Sequence, residues 1–269
     1  MCKVLKASKS GFYDWIKSKR GLTTPGETYL LIRIKEAYEL GKRAYGSIRI
    51  TRQLKKWGVP CYKNQVARIM RKYGIKSITK RRFKVTTDSK HNLGAAPNLL
   101  KREFTVNEIN KFWVGDITYI WTLEGWLYLS TVIDLYSRKV VGWSAGKRMK
   151  KQLVIDSFKA AVAQRKPDKE LIFHSDQGRQ YASKEFRSTL KRSNALQSMS
   201  RKGDCWDNAV AESFFKTIKT ELIYWERYRS RHEAELSIFA YIEMFYNTVR
   251  LHSANDYMSP CEFEGVNLS

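Results

Sequence analysis

Three acidic side chains stand where chemistry could use them. Asp116 interrupts an apolar run, following Phe112-Trp113-Val114-Gly115 and preceding Ile117-Thr118-Tyr119-Ile120. An acid inside a strand-like run is unfavourable unless it serves something. Asp176 ends Leu171-Ile172-Phe173-His174-Ser175, at the strand end where α/β folds place ligands. Glu212 lies near the start of a helical pattern in which Val210, Phe214 and Ile218 recur at fourfold spacing, with Ala211, Phe215 and Leu222 beside them. Lys219 follows Glu212 by seven residues, two turns along nearly the same line of the helix. Two strand-borne aspartates and one helix-borne glutamate make a hard-oxygen site suited to Mg²⁺ or Mn²⁺. The lysine beside them suits a phosphate held next to such an ion. Asp134 and Asp207 are further acids, the first expected to be neutralised by Arg138 and Lys139, the second, with Asn208, to cap the helix.

The elements that must position these groups fall into two textures. Residues 114–121, 126–135 and 139–144 read as three strands joined by short turns, an antiparallel meander. A helix over 151–164, a strand over 171–175 and a helix over 183–193 follow, giving the order βββαβα before the Glu212 helix. A further helix is expected over 233–246. A mixed sheet with helices on its faces is the natural packing.

The first 99 residues read differently. They carry 24 Lys/Arg against 5 Asp/Glu, whereas the rest carries 26 against 21, so most of the +24 net charge lies here. So basic a region is expected to meet a polyanion. After a short helical lead over 8–18, within a lead segment of residues 1–22, a helix start at Thr23-Thr24-Pro25-Gly26-Glu27 opens a helix to about Leu40. Helices over 47–57 and 63–73, separated by Gly58-Val59-Pro60, form a helix-turn-helix pattern within residues 23–76. In it Lys63, Asn64, Gln65 and Arg68 face the major groove, and Val66, Ile69 and Met70 face the core. Residues 77–104 read as a basic linker, with Lys80, Arg81 and Arg82 along a phosphate backbone, and residues 105–269 as the catalytic domain.

Cys2, Cys61, Cys205 and Cys261 form no CxxC pair, and His91, His174, His232 and His252 have no zinc-finger spacing. Neither a structural zinc site nor a disulfide framework is expected, and a reduced cytoplasm is the simple compartment. No apolar run is long enough to span a membrane, and the N-terminus lacks an apolar signal core.

Three blocks resemble the catalytic signatures of the retroviral-integrase-like transposases: residues 113–120 around Asp116, 174–181 around Asp176 and 207–215 around Glu212. The 35 residues between Asp176 and Glu212 are that group's D,D(35)E interval, and Lys219 matches its accompanying basic residue. Tyr246-Asn247-Thr248-Val249-Arg250-Leu251-His252 and Ser259-Pro260-Cys261-Glu262-Phe263 are similar to the C-terminal block of one bacterial branch, the insertion-sequence-three family. Its catalytic polypeptide is encoded by a second, overlapping frame. The resemblance implies an α/β fold: an RNase H-like mixed five-stranded sheet flanked by helices, preceded by a small all-α helix-turn-helix domain. It implies a DNA transposase with two divalent metal ions held by Asp116, Asp176 and Glu212. Water would cut at the element end, and the freed 3′-OH would attack another phosphodiester, first circularising the element. Lys219 would hold a phosphate or base, and the loop with Arg201 and Lys202 would touch the DNA end. Implied partners are the double-stranded terminal repeats and target DNA. An upstream-frame helix-turn-helix and leucine-zipper polypeptide, as partner or fusion, and a homo-oligomer on DNA are implied too. The implied place is the bacterial cytoplasm, at the nucleoid. A second reading is a catalytically silent protein that binds element ends; a third is a plain RNase H-type nuclease, which the sequence-reading N-terminal helices disfavour.

Overall fold

The computed structural model describes residues 8–13, 25–78, 96–100, 102, 104–201 and 205–268. Two compact units divide the chain, Met1–Ser77 and Ile78–Ser269.

In the first unit, residues 9–13 are helical, and three longer helices follow: α1 (Pro25–Leu40), α2 (Ser47–Lys56) and α3 (Lys63–Lys72). Each turns one stripe inward. Leu30, Ile34 and Ala37 from α1, Ile50 and Leu54 from α2, and Val66, Ile69 and Met70 from α3 are buried together. Gly58 closes the turn between α2 and α3 with φ +71°, where a Cβ would be strained, so the chain reverses in few residues. Glu27, in the first turn of α1, accepts from Lys72 at 2.7 Å and lies 3.8 Å from Arg68, tying α1 to α3.

The second unit is built on a five-stranded sheet of order β3-β2-β1-β4-β5. Its strands are β1 (Phe112–Thr122), β2 (Gly125–Asp134), β3 (Val140–Gly146), β4 (Leu171–Ser175) and β5 (Ala195–Met199). The first three pair antiparallel; β4 lies parallel to β1 and β5 parallel to β4. The apolar pattern alone misses β5: Gln197 and the serines at 193 and 198 dilute it, and it becomes a strand by pairing with β4. Helices α4 (Lys151–Arg165) and α5 (Lys184–Arg192) cover one face around a cluster of Trp113, Phe158, Phe173, Tyr181 and Phe186, whose rings meet mostly edge to face. Ser130 of β2 bonds Ser157 of α4 on that face, yet Leu127, Leu129, Thr131 and Ile133, of the opposite parity, are also buried. The sheet is therefore covered on both sides, with α6 (Ala209–Glu221) and α7 (Arg231–Tyr241) packing on β1 and β2.

Beyond α7 the helix widens into one π turn, Ile242–Tyr246, and the chain ends in α8 (Pro260–Leu268). The segment after the π turn serves the fold. Asn247 brackets Val140 at the start of β3, donating to its carbonyl and accepting from its N–H, both at 3.0 Å. Arg250, fully buried, donates to both oxygens of Glu221 in the last turn of α6, at 2.8 and 2.7 Å. Tyr241 adds a third hydrogen bond to the same carboxylate at 2.8 Å. Part of the stretch read as linker is also structured here. Leu99 N–H donates to Ser198 at 2.9 Å, Met199 N–H to the Pro97 carbonyl at 3.3 Å, and Leu100 is buried. No described helix is long and apolar enough to cross a membrane.

Candidate active site

Strand register places the first two acids. Val114 of β1 lies opposite His174 of β4 in the last pair of the parallel register, and Asp116 and Asp176 each stand two residues beyond that pair. Adjacent strands run about 4.8 Å apart, which brings two carboxylates into mutual repulsion. Gly115 makes this pairing close: a Cβ there would lie 2.4 Å from the Phe173 ring. Each aspartate is steadied by its own backbone. Asp116 accepts from Ile117 N–H at 2.7 Å, and Asp176 from Gly178 N–H at 2.9 Å in the turn that ends β4.

Glu212 comes from the first turn of α6, which is anchored to the same spot. Asn208, immediately before the helix, donates its side-chain amide to the Gly115 carbonyl at 3.2 Å. One hydrogen bond therefore fixes the residue before Asp116 to the residue one helical turn before Glu212. Neither Asn208 nor Asp207 caps α6 with its side chain, contrary to the expectation from sequence. Asp207 instead is a buried clamp. Its carboxylate accepts from Asn98 at 2.9 Å, from Arg102 at 2.8 Å, and from both the backbone and the guanidinium of Arg201. The Arg201 hydrogen bond, against the opposing cost of burial, holds the Asp207 carboxyl well below the usual range. A tertiary partner set took the oxygen atoms that a cap would have used.

The electrostatics bring four side chains into one field. Burial, then the charge of Asp176, then that of Glu212 push the Asp116 carboxyl well above the usual range, while Ile117 N–H and Lys219 oppose the rise. Asp116 is half-buried. Burial likewise raises Glu212, the most exposed of the three, and lowers Lys219, whose charge Asp116 supports. Tyr181 lies beneath. Burial first, then Asp116 and Asp176, push its phenol well up. The donor set is all hard oxygen. Among the described residues, no three acidic, His or Cys side chains converge closely enough to hold one ion.

The remaining sequence candidates separate. Asp134 is a structural acid, but its neutralising partner is Arg165 of α4 at 3.4 Å, together with the N–H groups of Asn110 and Tyr136. Arg138 donates to the Phe104 carbonyl and Lys139 pairs with Glu264, so neither forms the expected ion pair with Asp134. Lys63, Asn64, Gln65 and Arg68 are exposed on α3. Lys80, Arg81, Arg82 and Lys202 lie outside the described residues. His174, within the second block, bridges β4 to β5. Its ring nitrogens meet Ser198 at 2.8 Å and Ser200 at 3.2 Å. Burial lowers its pKa to about 4, against the ordinary 6.5. The unfolded chain therefore takes up this proton first, and the stability is full above about pH 6.5 and falls as pH drops towards 4. Melting scans should show wild type losing about 2 kcal/mol more than His174→Asn between pH 7.5 and pH 5. An equal loss in both would remove His174 from the account.

The fold defines a class before it defines a family. Residues 107–205 and 212–268 each match a family model of the integrase core domain, and residues 27–83 match an HTH-like domain. This is the architecture of a DDE-type polynucleotidyl transferase behind a small helical DNA-binding unit. The chain is 40% identical over 271 residues to transposase InsF for insertion sequence IS3A of Escherichia coli K12, covering 100% of this chain and 94% of that protein. It is 38% identical to the 31 kDa protein of insertion element IS600 of Shigella sonnei, covering 98% and 97%. It is also similar to the solved HTLV-2 integrase catalytic core domain in complex with magnesium, at 17% identity and TM-score 0.44, over 57% of this chain and 95% of that one. The chain belongs to the IS3 family of DNA transposases.

Proposed function

We propose that Asp116, Asp176 and Glu212 are the catalytic carboxylates of this transposase and hold its divalent metal, two ions of Mg²⁺ or Mn²⁺. The observation that carries this reading is geometric: Asp116 and Asp176 stand just past the last pair of β1 and β4, and Asn208 ties the start of the helix bearing Glu212 and Lys219 to the Gly115 carbonyl. A carboxyl pushed up by burial and by two like charges is one that a hard cation would relieve. When bound, such ions activate the attacking oxygen and stabilise the leaving one during in-line displacement at phosphorus. Glu212, the exposed member, has the freedom to complete the ligand set. Lys219 sets an ammonium beside Asp116, where it meets a phosphate oxygen of the bound strand. Hydrolysis at the element end frees a 3′-OH, and that hydroxyl then attacks a second phosphodiester. No covalent protein–DNA bond is needed.

The DNA contacts follow the same logic. Asn64 and Gln65 carry amides that suit adenine edges, and Lys63 and Arg68 suit phosphates or guanine, at the exposed start of α3. Arg68 shares its charge with Glu27. Arg201 is held on Asp207 and reaches DNA only by the part of its side chain left exposed, while Lys202 and the Lys80, Arg81 and Arg82 cluster add charge along the backbone. Residues 23–76 form the reader, 77–104 the basic connection and 105–269 the catalytic domain. Joining two ends requires at least a dimer on DNA, with an upstream-frame helix-turn-helix and leucine-zipper polypeptide as partner or fusion. The work takes place at the nucleoid of a bacterial cytoplasm.

Strand transfer on an element-end duplex, with Mg²⁺ or Mn²⁺, tests the reading. Glu212→Gln should lose about 10³-fold or more in joined product while duplex affinity is kept. Joining by Glu212→Gln at the wild-type rate would reject the triad.

A further inference from the structure

The β1–β2 hairpin exposes a set of rings that nothing in the catalytic reading uses. Tyr119, Trp121 and Trp126 are 36%, 58% and 42% exposed. Trp126 lies at the centre, edge to face with Tyr119 at 5.0 Å and with Trp121 at 4.9 Å. Cross-strand pairing of Trp121 with Trp126 fixes two of the rings on one face. The patch is joined to the acid site. Lys219, which feels the charge of Asp116, stands 5.2 Å over the Tyr119 ring.

The rim is basic. The 226–231 loop is stitched to the hairpin tip, with Leu123 N–H donating to the Tyr228 carbonyl at 3.0 Å and Arg231 donating to the Trp126 carbonyl at 3.0 Å. That loop carries Arg227, Arg229 and Arg231 against Glu226, and Arg231 pairs with Glu124 of the hairpin turn at 3.8 Å, so the rim keeps a net positive charge mainly through Arg227 and Arg229. Rings and arginines are common to protein interfaces and to surfaces that stack nucleotides; the neighbouring phosphodiester-cutting site favours the second here. Tyr119 lies three residues and Trp121 five residues from Asp116 along β1, roughly 10 and 17 Å at about 3.3 Å per residue; the odd spacing sets their rings on the other side of the strand from the carboxylate, and Lys219 interacts with both Tyr119 and Asp116. On DNA that is about three to five base steps. Paired bases offer no free faces to rings at that distance; unpaired ones do.

We propose that this hairpin is a stacking platform for unpaired DNA bases flanking the strand cut at Asp116, with Trp121 and Trp126 as its stacking rings. The proposal rests on the catalytic assignment for its location but not for its test. The full-length chain is titrated, without divalent metal, with a duplex ending in a fork of five unpaired thymines, and with the same duplex fully paired. Trp121→Ala should weaken the fork about tenfold and the paired duplex less than about twofold. Trp121→Phe should restore most of the loss, since any ring can stack. Equal losses on both DNAs, or none on either, would overturn the proposal. So would a wild-type dimer that Trp121→Ala converts to monomer with the fork preference unchanged, which would assign the patch to a second copy. Because no strand is cut, failure of the acid triad would leave these affinities where they are.

Discussion

Asp116→Asn should lose strand transfer and, without divalent metal, melt at a higher temperature than wild type. Both effects have the same origin. The carboxyl is pushed up by burial, by the charge of Asp176 just past the paired end of β4 and by Glu212 from α6. An acid raised in the fold prefers its proton there, so the folded state is penalised once pH rises through the folded value, above the ordinary carboxylate range. Asparagine keeps the shape and removes the charge. The gain should be present at pH 7.5 and should vanish as pH falls below about 4, where unfolded aspartates are protonated as well. Relief of even about 1 kcal/mol moves the melting temperature by about 2–4 °C in a domain of this size. Millimolar Mg²⁺ or Mn²⁺ should narrow or reverse the difference, because the ion stabilises only the protein that retains the ligand. Calorimetry of the two proteins with and without metal checks this. A variant that is less stable than wild type without metal would show that Asp116 contributes to the fold and is not strained by its neighbours.

Arg250→Met should be the most destabilising single change, by about 3–5 kcal/mol. Arg250 and Glu221 side chains are 5% and 4% exposed and meet through two hydrogen bonds. Burial works against the guanidinium, but Glu221 more than restores it, and its pKa stands above the usual value. Removing the arginine leaves Glu221 a buried charge that has lost two charged donors, with the Tyr241 hydroxyl still bonded to it. Combining Arg250→Met with Glu221→Gln should recover most of the loss, since glutamine still accepts from Tyr241 and carries no charge. Chemical denaturation of both single variants and the double variant measures the coupling. An Arg250→Met protein within about 1 kcal/mol of wild type would rule the pair out as a fold determinant. The consequence reaches the site because Glu221 ends the helix that presents Glu212 and Lys219.

Much of this was legible in the residues themselves. The three acids, the 35-residue interval and Lys219 are local signals, each tied to a strand end or a helix start that apolar periodicity marks. The helix-turn-helix stripe Val66, Ile69 and Met70 is buried as its spacing predicts, because a short helix can satisfy only one apolar face at a time. The meander, α4, β4 and α5 fall within a few residues of their predicted spans for the same reason.

What the sequence could not determine are choices between partners far apart in the chain. Asp207 has the composition of a cap, and a cap is a contact with its own helix. It became a clamp because Asn98 and Arg102 arrive at its oxygens from 109 and 105 residues away and Arg201 from six residues before it, and charged donors outcompete backbone N–H groups. Asp134 met Arg165 and not the adjacent Arg138 and Lys139, because a buried carboxylate takes the cation that packing delivers. The segment from Tyr246 to His252, known from sequence only by its family resemblance, holds β3 and α6 through Asn247 and Arg250. β5 carries little apolar pattern and exists by its pairing with β4. Residue type and local spacing thus determined which groups could do chemistry. Tertiary structure decided which partner each polar group obtained, because hydrogen bonds and ion pairs are satisfied in space and leave no periodic trace along the chain.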